Sequence, residues 1–165
     1  GLEPHNWVTA WVAITSSNEH NGCMRMWSGS HKDNLKDHDQ TFNDGNLLTR
    51  GQTVNNVPKE KTTPLVLEAG QMSLHHPTVV HGSDLNKSND RRIGFVIQSY
   101  IGTNVKQVLG RNSVQLARGE DDFNFHEKIK RPNSLMNKHD FKIKKQENDY
   151  LKEIFYKGSS KTGTY

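Results

Sequence analysis

The residue types best suited to chemistry lie in two neighbouring segments of the sequence. Residues 75–83 read His-His-Pro-Thr-Val-Val-His-Gly-Ser, and residues 90–95 read Asp-Arg-Arg-Ile-Gly-Phe. His81 closes one predicted strand, and Arg92 opens the next one eleven residues later. An imidazole at a strand end can bind a divalent metal ion, and a guanidinium can hold a carboxylate through two parallel N–H bonds. The spacing by itself is weak evidence, because a core histidine and a surface ion pair would give the same pattern.

The elements that must position these side chains are predicted to be short strands. Residues 7–15 are rich in β-branched and aromatic side chains, and residues 23–27 alternate apolar and polar side chains. Asn21 and Gly22 lie between these two segments and suit a tight turn with positive φ. Residues 65–67, 72–74 and 79–81 continue the pattern, and residues 91–100 are the most strand-like segment. Many short strands joined by irregular loops favour a β-sandwich or a jelly roll.

Two stretches lack this pattern. Residues 31–64 form a long polar connection, which inside a compact domain is usually functional or mobile. After Tyr100 the strand signal fades, and the apolar side chains of Tyr150, Leu151, Ile154 and Phe155 predict an amphipathic helix near residues 148–157. The sequence is therefore divided into a strand-rich part, residues 1–105, and a C-terminal extension, residues 106–165, that is irregular apart from this helix.

Composition narrows the class of protein. Apolar residues make up 32% of the 165 residues, less than is usual for a globular domain, so the chain is expected to be part of a larger domain. Cys23 is the only cysteine, which excludes a disulfide framework and a cysteine-based zinc site and fits a cytoplasmic location. No stretch approaches the ~20 apolar residues of a membrane span, so no membrane partner is expected.

A basic segment accounts for much of the net charge of +4. Residues 128–145 contain the basic residues Lys128, Lys130, Arg131, Lys138, Lys142, Lys144 and Lys145. The segment lacks the interleaved aromatic residues of a single-strand binder, so no nucleic-acid partner is expected. We interpret it as a solvated surface, with contact to a phosphate group or a CoA-like ligand as the alternative.

Three segments together resemble the phytanoyl-CoA dioxygenase family. Residues 70–76, 81–83 and 91–95 are similar to the distal-histidine region of that family. Residues 21–32, which end in Gly-Ser-His-Lys, are similar to its other signature, and Trp11 matches the strand that precedes this signature. The similarity covers residues 1 to about 105 in the same order and spacing. It implies a mainly β fold, an incomplete double-stranded β-helix (a cupin-like jelly roll) of which residues 1–105 are the C-terminal part, followed by a C-terminal helix.

The resemblance also implies roles for particular side chains. His81 corresponds to the distal metal ligand of the family. Arg92 corresponds to the arginine that binds the far carboxylate of 2-oxoglutarate, and Ser83 supplies a hydroxyl beside it. Trp11 and His76 are expected to line the pocket, while His75 is interpreted as a core or supporting residue.

Two alternatives compete with these assignments. Arg91 is the rival of Arg92, because successive side chains of a strand face opposite sides and only one of the two can point inward. His31 and Asp33 form a His-x-Asp pair, the spacing of the family's proximal metal motif. They belong to the Gly-Ser-His-Lys signature, however, and such a pair is common by chance in a chain with nine histidines. They are therefore predicted to anchor the loop that follows Trp27.

The activity implied by the resemblance is that of an Fe(II)- and 2-oxoglutarate-dependent dioxygenase that uses O₂ to hydroxylate a C–H bond of a small-molecule substrate. The family's proximal His-x-Asp motif precedes the strand that contains Trp11, so the sequence is expected to begin after two of the three metal ligands and to be inactive alone. Two alternatives stay open, a related non-haem iron halogenase and a non-catalytic jelly-roll binding module.

Overall fold

The computed structural model describes residues 1–33, 35–42, 46, 48 and 51–159. The strands in chain order are β1 (Leu2–Glu3), β2 (Trp7–Ala13), β3 (Met24–Trp27), β4 (Asp39–Gln40), β5 (Gln52–Thr53), β6 (Thr62–Pro64), β7 (Met72–His75), β8 (His81–Ser83), β9 (Gly94–Ile101), β10 (Lys106–Gln107), β11 (Ser113–Val114) and β12 (Glu127–Lys128). Two short 3₁₀ helices span Ser30–Lys32 and Lys59–Lys61, and one α-helix, α1, spans Lys138–Phe155. The described residues form two units, one built from residues 5–39 and 54–101 and the other from residues 1–4, 40–53 and 102–159.

The first unit contains a three-stranded sheet with β2 at its centre. β2 pairs antiparallel with β7 on one side and with β9 on the other. Trp11 lies opposite Ser73 of β7 and Val96 of β9. Because side chains alternate along a strand, these three residues share one face of the sheet. The β-branched and aromatic composition of β2 suits this central position.

The second sheet of this unit has β3 at its centre. β3 pairs antiparallel with β6 and with β8. Met24 lies opposite Ser83, and Met26 lies opposite His81, so these four side chains share one face. The tight turn predicted before β3 is present, and Gly22 within it has a φ of 76°.

The buried apolar core of this unit is small. It contains the buried side chains of Ala10, Trp11, Ala13, Cys23 and Met26. The outer strands of the β2 sheet are more exposed than its centre, since Met72, Leu74 and Phe95 are 55%, 64% and 59% exposed. Within the described residues, therefore, the burial of this sheet is concentrated in β2.

The other unit contains β1 paired antiparallel with β10, β11 paired parallel with β12, the pair β4 and β5, and α1. Asn137 caps α1 by accepting a hydrogen bond from the backbone N–H of His139. The helix is longer than the predicted segment at residues 148–157, because its first turns present mainly lysines and carry little apolar signal. Among the described residues, no helix is long and apolar enough to cross a membrane.

The predicted fold class is confirmed, since the described strands form the paired sheets of a mainly β, incomplete double-stranded β-helix with a C-terminal helix and do not close into a barrel. Several details differ from the sequence-based expectation. β9 begins at Gly94 rather than at Arg91, since Thr15 holds the preceding residues through the carbonyl of Arg91 and the N–H of Ile93. His81 begins β8 and does not close a strand at residues 79–81. Residues 65–67 form no named strand, and β4, β5 and β6 lie in the connection 31–64. Residues 34, 43–45, 47, 49 and 50 of that connection lie outside the described part of the chain.

Candidate functional site

Arg92 links the two three-stranded sheets at the centre of the candidate site. Its guanidinium donates a hydrogen bond to Ser83 Oγ over 3.3 Å. The same guanidinium lies over the ring of Trp11, with 5.7 Å between Cζ and the ring centroid. Among the described residues, Arg92 has no carboxylate within salt-bridge distance. Its positive charge is therefore available to an anionic ligand.

The ring of Trp11 is positioned by the absence of a side chain at Gly94. A Cβ atom at residue 94 would lie 2.2 Å from Cε2 and Cζ2 of Trp11. Trp11 is only 7% exposed, so its ring has little room to move away. The glycine at the start of β9 thus leaves room for the indole close to the β9 backbone.

His81 begins β8 on the same face as Ser83. Its Nδ1 lies 3.0 Å from the carbonyl oxygen of Val79. Because a carbonyl oxygen can only accept, Nδ1 must carry the proton and donate this bond. The neutral ring then has its lone pair on Nε2, which is the tautomer a metal-binding histidine needs, with its other nitrogen fixed by a backbone carbonyl.

His75 is the histidine that the structure brings to His81. The centroids of the two imidazole rings are 5.4 Å apart. Burial, and secondarily the neighbouring His81, hold the pKa of His75 below its usual value. The sequence predicts a supporting place for His75 and does not connect this residue with His81. The sequence signal for this contact is the two-residue period of β7, which places His75 on the same face as Ser73. Ser73 in turn lies opposite Trp11.

His76 and His31 meet at a different place. Their ring centroids are 5.5 Å apart. Nδ1 of His76 accepts a hydrogen bond from the backbone N–H of Thr78 over 3.3 Å and lies 2.8 Å from the hydroxyl of Thr78. His76 therefore takes part in the turn that precedes His81, and its assignment as a pocket-lining residue stays a prediction.

The turn before His81 is also tied to the loop after Trp27. Ser30, which is 2% exposed, accepts a hydrogen bond from the backbone N–H of Val80 over 2.9 Å. Asp33 pairs with Lys36 over 2.8 Å, and that hydrogen bond lowers the pKa of the Asp33 carboxyl. The His-x-Asp sequence thus lies at the end of the 3₁₀ helix Ser30–Lys32, and its predicted anchoring role stays a prediction.

The side chains at the site suit a carboxylate ligand better than a metal ion. An uncompensated guanidinium beside a hydroxyl and an indole face suits a carboxylate. In contrast, the described residues contain no group of three or more His, Cys, Asp or Glu side chains that could hold a metal ion. The described residues therefore bring together, around Arg92, groups that suit a carboxylate, and they provide no complete set of metal ligands.

The family of the chain follows from comparison with known proteins. The profile of the phytanoyl-CoA dioxygenase (PhyH) family matches residues 2–94, more than half of the 165 residues. The chain belongs to the phytanoyl-CoA dioxygenase family. The matched range contains all the side chains that meet around Arg92.

The relatives of this family member are much longer proteins. Human peroxisomal phytanoyl-CoA dioxygenase is 33% identical over 86 residues, which cover 52% of this chain and 25% of the human protein. A phytanoyl-CoA dioxygenase domain-containing protein 1 homolog of Caenorhabditis elegans is 30% identical over 113 residues, 64% of this chain and 38% of that protein. The chain thus spans about a quarter to two fifths of the length of these curated relatives.

Among solved structures, this family member is similar to the non-haem monooxygenase ThoJ. The apo form of ThoJ superimposes with a TM-score of 0.77 and is 27% identical, covering 91% of this chain and 54% of ThoJ. The nickel complex of ThoJ gives a TM-score of 0.71 at 25% identity, covering 92% of this chain and 53% of that structure.

Proposed function

We propose that the chain forms the co-substrate side of an Fe(II)- and 2-oxoglutarate-dependent oxygenase that hydroxylates a small molecule. The observation that supports this most directly is the contact of Arg92 with Ser83 and with Trp11 on the inner faces of two sheets. Membership of the phytanoyl-CoA dioxygenase family and the likeness to a non-haem monooxygenase support the oxygenase class.

In this proposal Arg92 binds the carboxylate of 2-oxoglutarate that is remote from the reacting end. One N–H of the guanidinium is directed to Ser83, and the remaining N–H groups are free to bind both oxygens of a carboxylate. The hydroxyl of Ser83 donates to the same carboxylate. The indole of Trp11 covers the guanidinium on one side and so excludes water from that side of the ion pair.

His81 contributes a metal ligand through Nε2 in this proposal. The hydrogen bond from Nδ1 to the carbonyl of Val79 fixes the ring orientation and leaves the lone pair of Nε2 free to bind the metal. When bound, the iron would supply the O₂ chemistry of the reaction. The described residues provide no complete ligand set, so the proposal requires further ligands beyond them.

Binding of dicarboxylates to the 165-residue chain tests the carboxylate half of the proposal without iron. 2-Oxoglutarate and glutarate should both bind, since each has the remote carboxylate, and the indole N–H signal of Trp11 in an NMR titration reports on the site. Arg92→Ala should weaken binding by about 2 kcal/mol, roughly 30-fold, because the carboxylate loses its charged partner.

Arg91→Ala is the matched control, since Arg91 is exposed and contributes its backbone carbonyl to the Thr15 hydroxyl. This variant should bind both dicarboxylates as the parent does. Loss of binding in Arg91→Ala, with Arg92→Ala unaffected, would overturn the assignment. Conversion of 2-oxoglutarate to succinate by the whole protein then separates an oxygenase from a jelly-roll module that only binds the acid.

A further inference from the structure

The basic segment 128–145 accounts for all of the net positive charge of the chain. It contains seven lysine and arginine residues and a single acidic residue, Asp140, while the net charge of all 165 residues is +4. Lys128 pairs with Asp121 over 2.9 Å, and Lys145 pairs with Asp149 over 3.1 Å. The other five cations have no carboxylate within salt-bridge distance among the described residues.

An exposed apolar pair lies in the middle of these charges. Leu135 is 96% exposed and Met136 is 80% exposed, in the turn that precedes α1. Met136 has a φ of 57°, in the left-handed region that residues other than glycine rarely adopt. Asn137 then begins the helix cap. A local conformation that is unfavourable for methionine thus presents two large apolar side chains to solvent.

The first turns of α1 extend this surface. Lys138, Lys142 and Lys145 follow the i, i+4, i+7 spacing of one helix face, and Phe141, 53% exposed, lies beside them. All three lysines are exposed. The surface therefore combines apolar side chains with a flanking row of ammonium groups.

The opposite face of α1 packs against other residues of the same unit. Glu147 accepts hydrogen bonds from the backbone N–H and the hydroxyl of Ser113, over 3.1 and 2.9 Å. Arg111 lies 4.9 Å from the ring centroid of Tyr150. Ile154 packs so closely on Gly110 that a Cβ there would lie 2.6 Å from its Cγ1. These contacts orient the lysine face outward.

We propose that Leu135, Met136, Phe141 and the flanking Lys138 and Lys142 form a docking surface for an anionic phospholipid membrane. Apolar side chains enter the boundary between headgroups and acyl chains, and lysines bind the phosphates while their methylene stems lie along the apolar layer. Charge complementarity favours an anionic surface, and the exposed apolar side chains of Leu135 and Met136 favour a lipid layer, which would bury them, over nucleic acid, whose phosphates they cannot bind. This proposal departs from two expectations drawn from the sequence, namely a solvated surface for this segment and no membrane partner for the chain.

Flotation of the full 165-residue chain with vesicles tests the proposal. The chain should float with vesicles of phosphatidylcholine mixed with phosphatidylserine and not with phosphatidylcholine alone, and added salt should weaken the binding. The double variant Lys138→Gln/Lys142→Gln should lower the partition coefficient about fivefold per lysine. Leu135→Ser/Met136→Ser should lower it about tenfold or more, because both apolar side chains are lost.

Two matched variants control for charge and for exposed apolar area. Lys59→Gln/Lys61→Gln removes two exposed lysines of the other unit, and Leu85→Ser removes a leucine that is 79% exposed. Both should bind the anionic vesicles as the parent does. All the substituted side chains are exposed, and circular dichroism verifies that each variant keeps the parent fold.

Three results would overturn the proposal. The first is absence of binding to anionic vesicles, and the second is equal loss in the control variants. The third is tight binding of a single-stranded oligonucleotide that Leu135→Ser/Met136→Ser leaves unchanged while vesicle binding is weak. That result would assign the lysines to nucleic acid.

Discussion

At the scale of single residues, the candidate site is organised around the ring of Trp11. The indole lies between the backbone of Gly94 and the guanidinium of Arg92, and Arg92 reaches Ser83 in the other sheet. Because the ring of Trp11 is buried, it has little room to move, and its position therefore restricts where the guanidinium of Arg92 can lie. The position of the guanidinium therefore depends on a residue that has no side chain.

Substitution of Gly94 tests this dependence. Gly94→Ala should destabilise the chain by about 1–3 kcal/mol, because the new methyl group overlaps the buried indole and forces it to shift. Thermal or urea unfolding followed by circular dichroism measures the change.

Gly82→Ala is the matched control, because a Cβ at Gly82, in β8, meets no atom within 4 Å. Its free energy of unfolding should stay within about 0.5 kcal/mol of the parent value. Equal losses in the two variants would show that the contact between residue 94 and Trp11 does not set the cost, since the substitution itself lowers the entropy of the unfolded chain and favours folding.

At the scale of elements, the turn before β8 is fixed by the loop after β3. The hydroxyl of Ser30 accepts a hydrogen bond from the backbone N–H of Val80. The backbone N–H of Trp27 donates a hydrogen bond to the carbonyl of Val80 over 2.8 Å. The next residue is His81. The direction of its ring therefore depends on a hydrogen bond between segments fifty residues apart in sequence.

Ser30→Ala should cost about 1–2 kcal/mol of stability, since the partly buried N–H of Val80 loses its acceptor. Amide hydrogen exchange at Val80 should become faster in the same variant. Ser28→Ala serves as the comparison, because Ser28 is exposed and its hydroxyl meets that of Thr63 over 3.1 Å. Unchanged exchange at Val80 in Ser30→Ala would contradict this account of the turn.

At the scale of the whole molecule, the described chain presents an open site rather than an enclosed one. His81, Ser83 and Gly94 are exposed, and Met72 and Leu74 on the other face of the β2 sheet are also exposed. The two histidines His75 and His81 lie together, but no third metal-binding side chain of the described residues joins them.

The 165-residue chain should therefore bind Fe(II) only weakly. Anaerobic calorimetric titration should show no stoichiometric, tight binding, because two imidazoles leave most coordination positions of the metal to water. Tight binding that is lost in His31→Ala would instead place a metal site at the His-x-Asp sequence of residues 31–33. His20→Ala, which removes an exposed histidine, is the matched control.

The sequence alone determined the fold class, the order of the main strands and the family, because these depend on local composition and on ordered motifs along the chain. The resemblance to the family also predicted that Trp11, His81, Ser83 and Arg92 share one site, since His81, Ser83 and Arg92 lie in one motif and Trp11 lies in the strand that precedes the other. These features are encoded within short segments.

The tertiary structure decided what depends on contacts between distant segments. β9 begins after Arg92 because Thr15 binds the backbone on both sides of that residue, which leaves Arg92 and not Arg91 in contact with Trp11. The meeting of His75 with His81 likewise requires two sheets to face each other. Strand periodicity assigns a side chain to one of two faces, but only the packing of the sheets determines what that face meets.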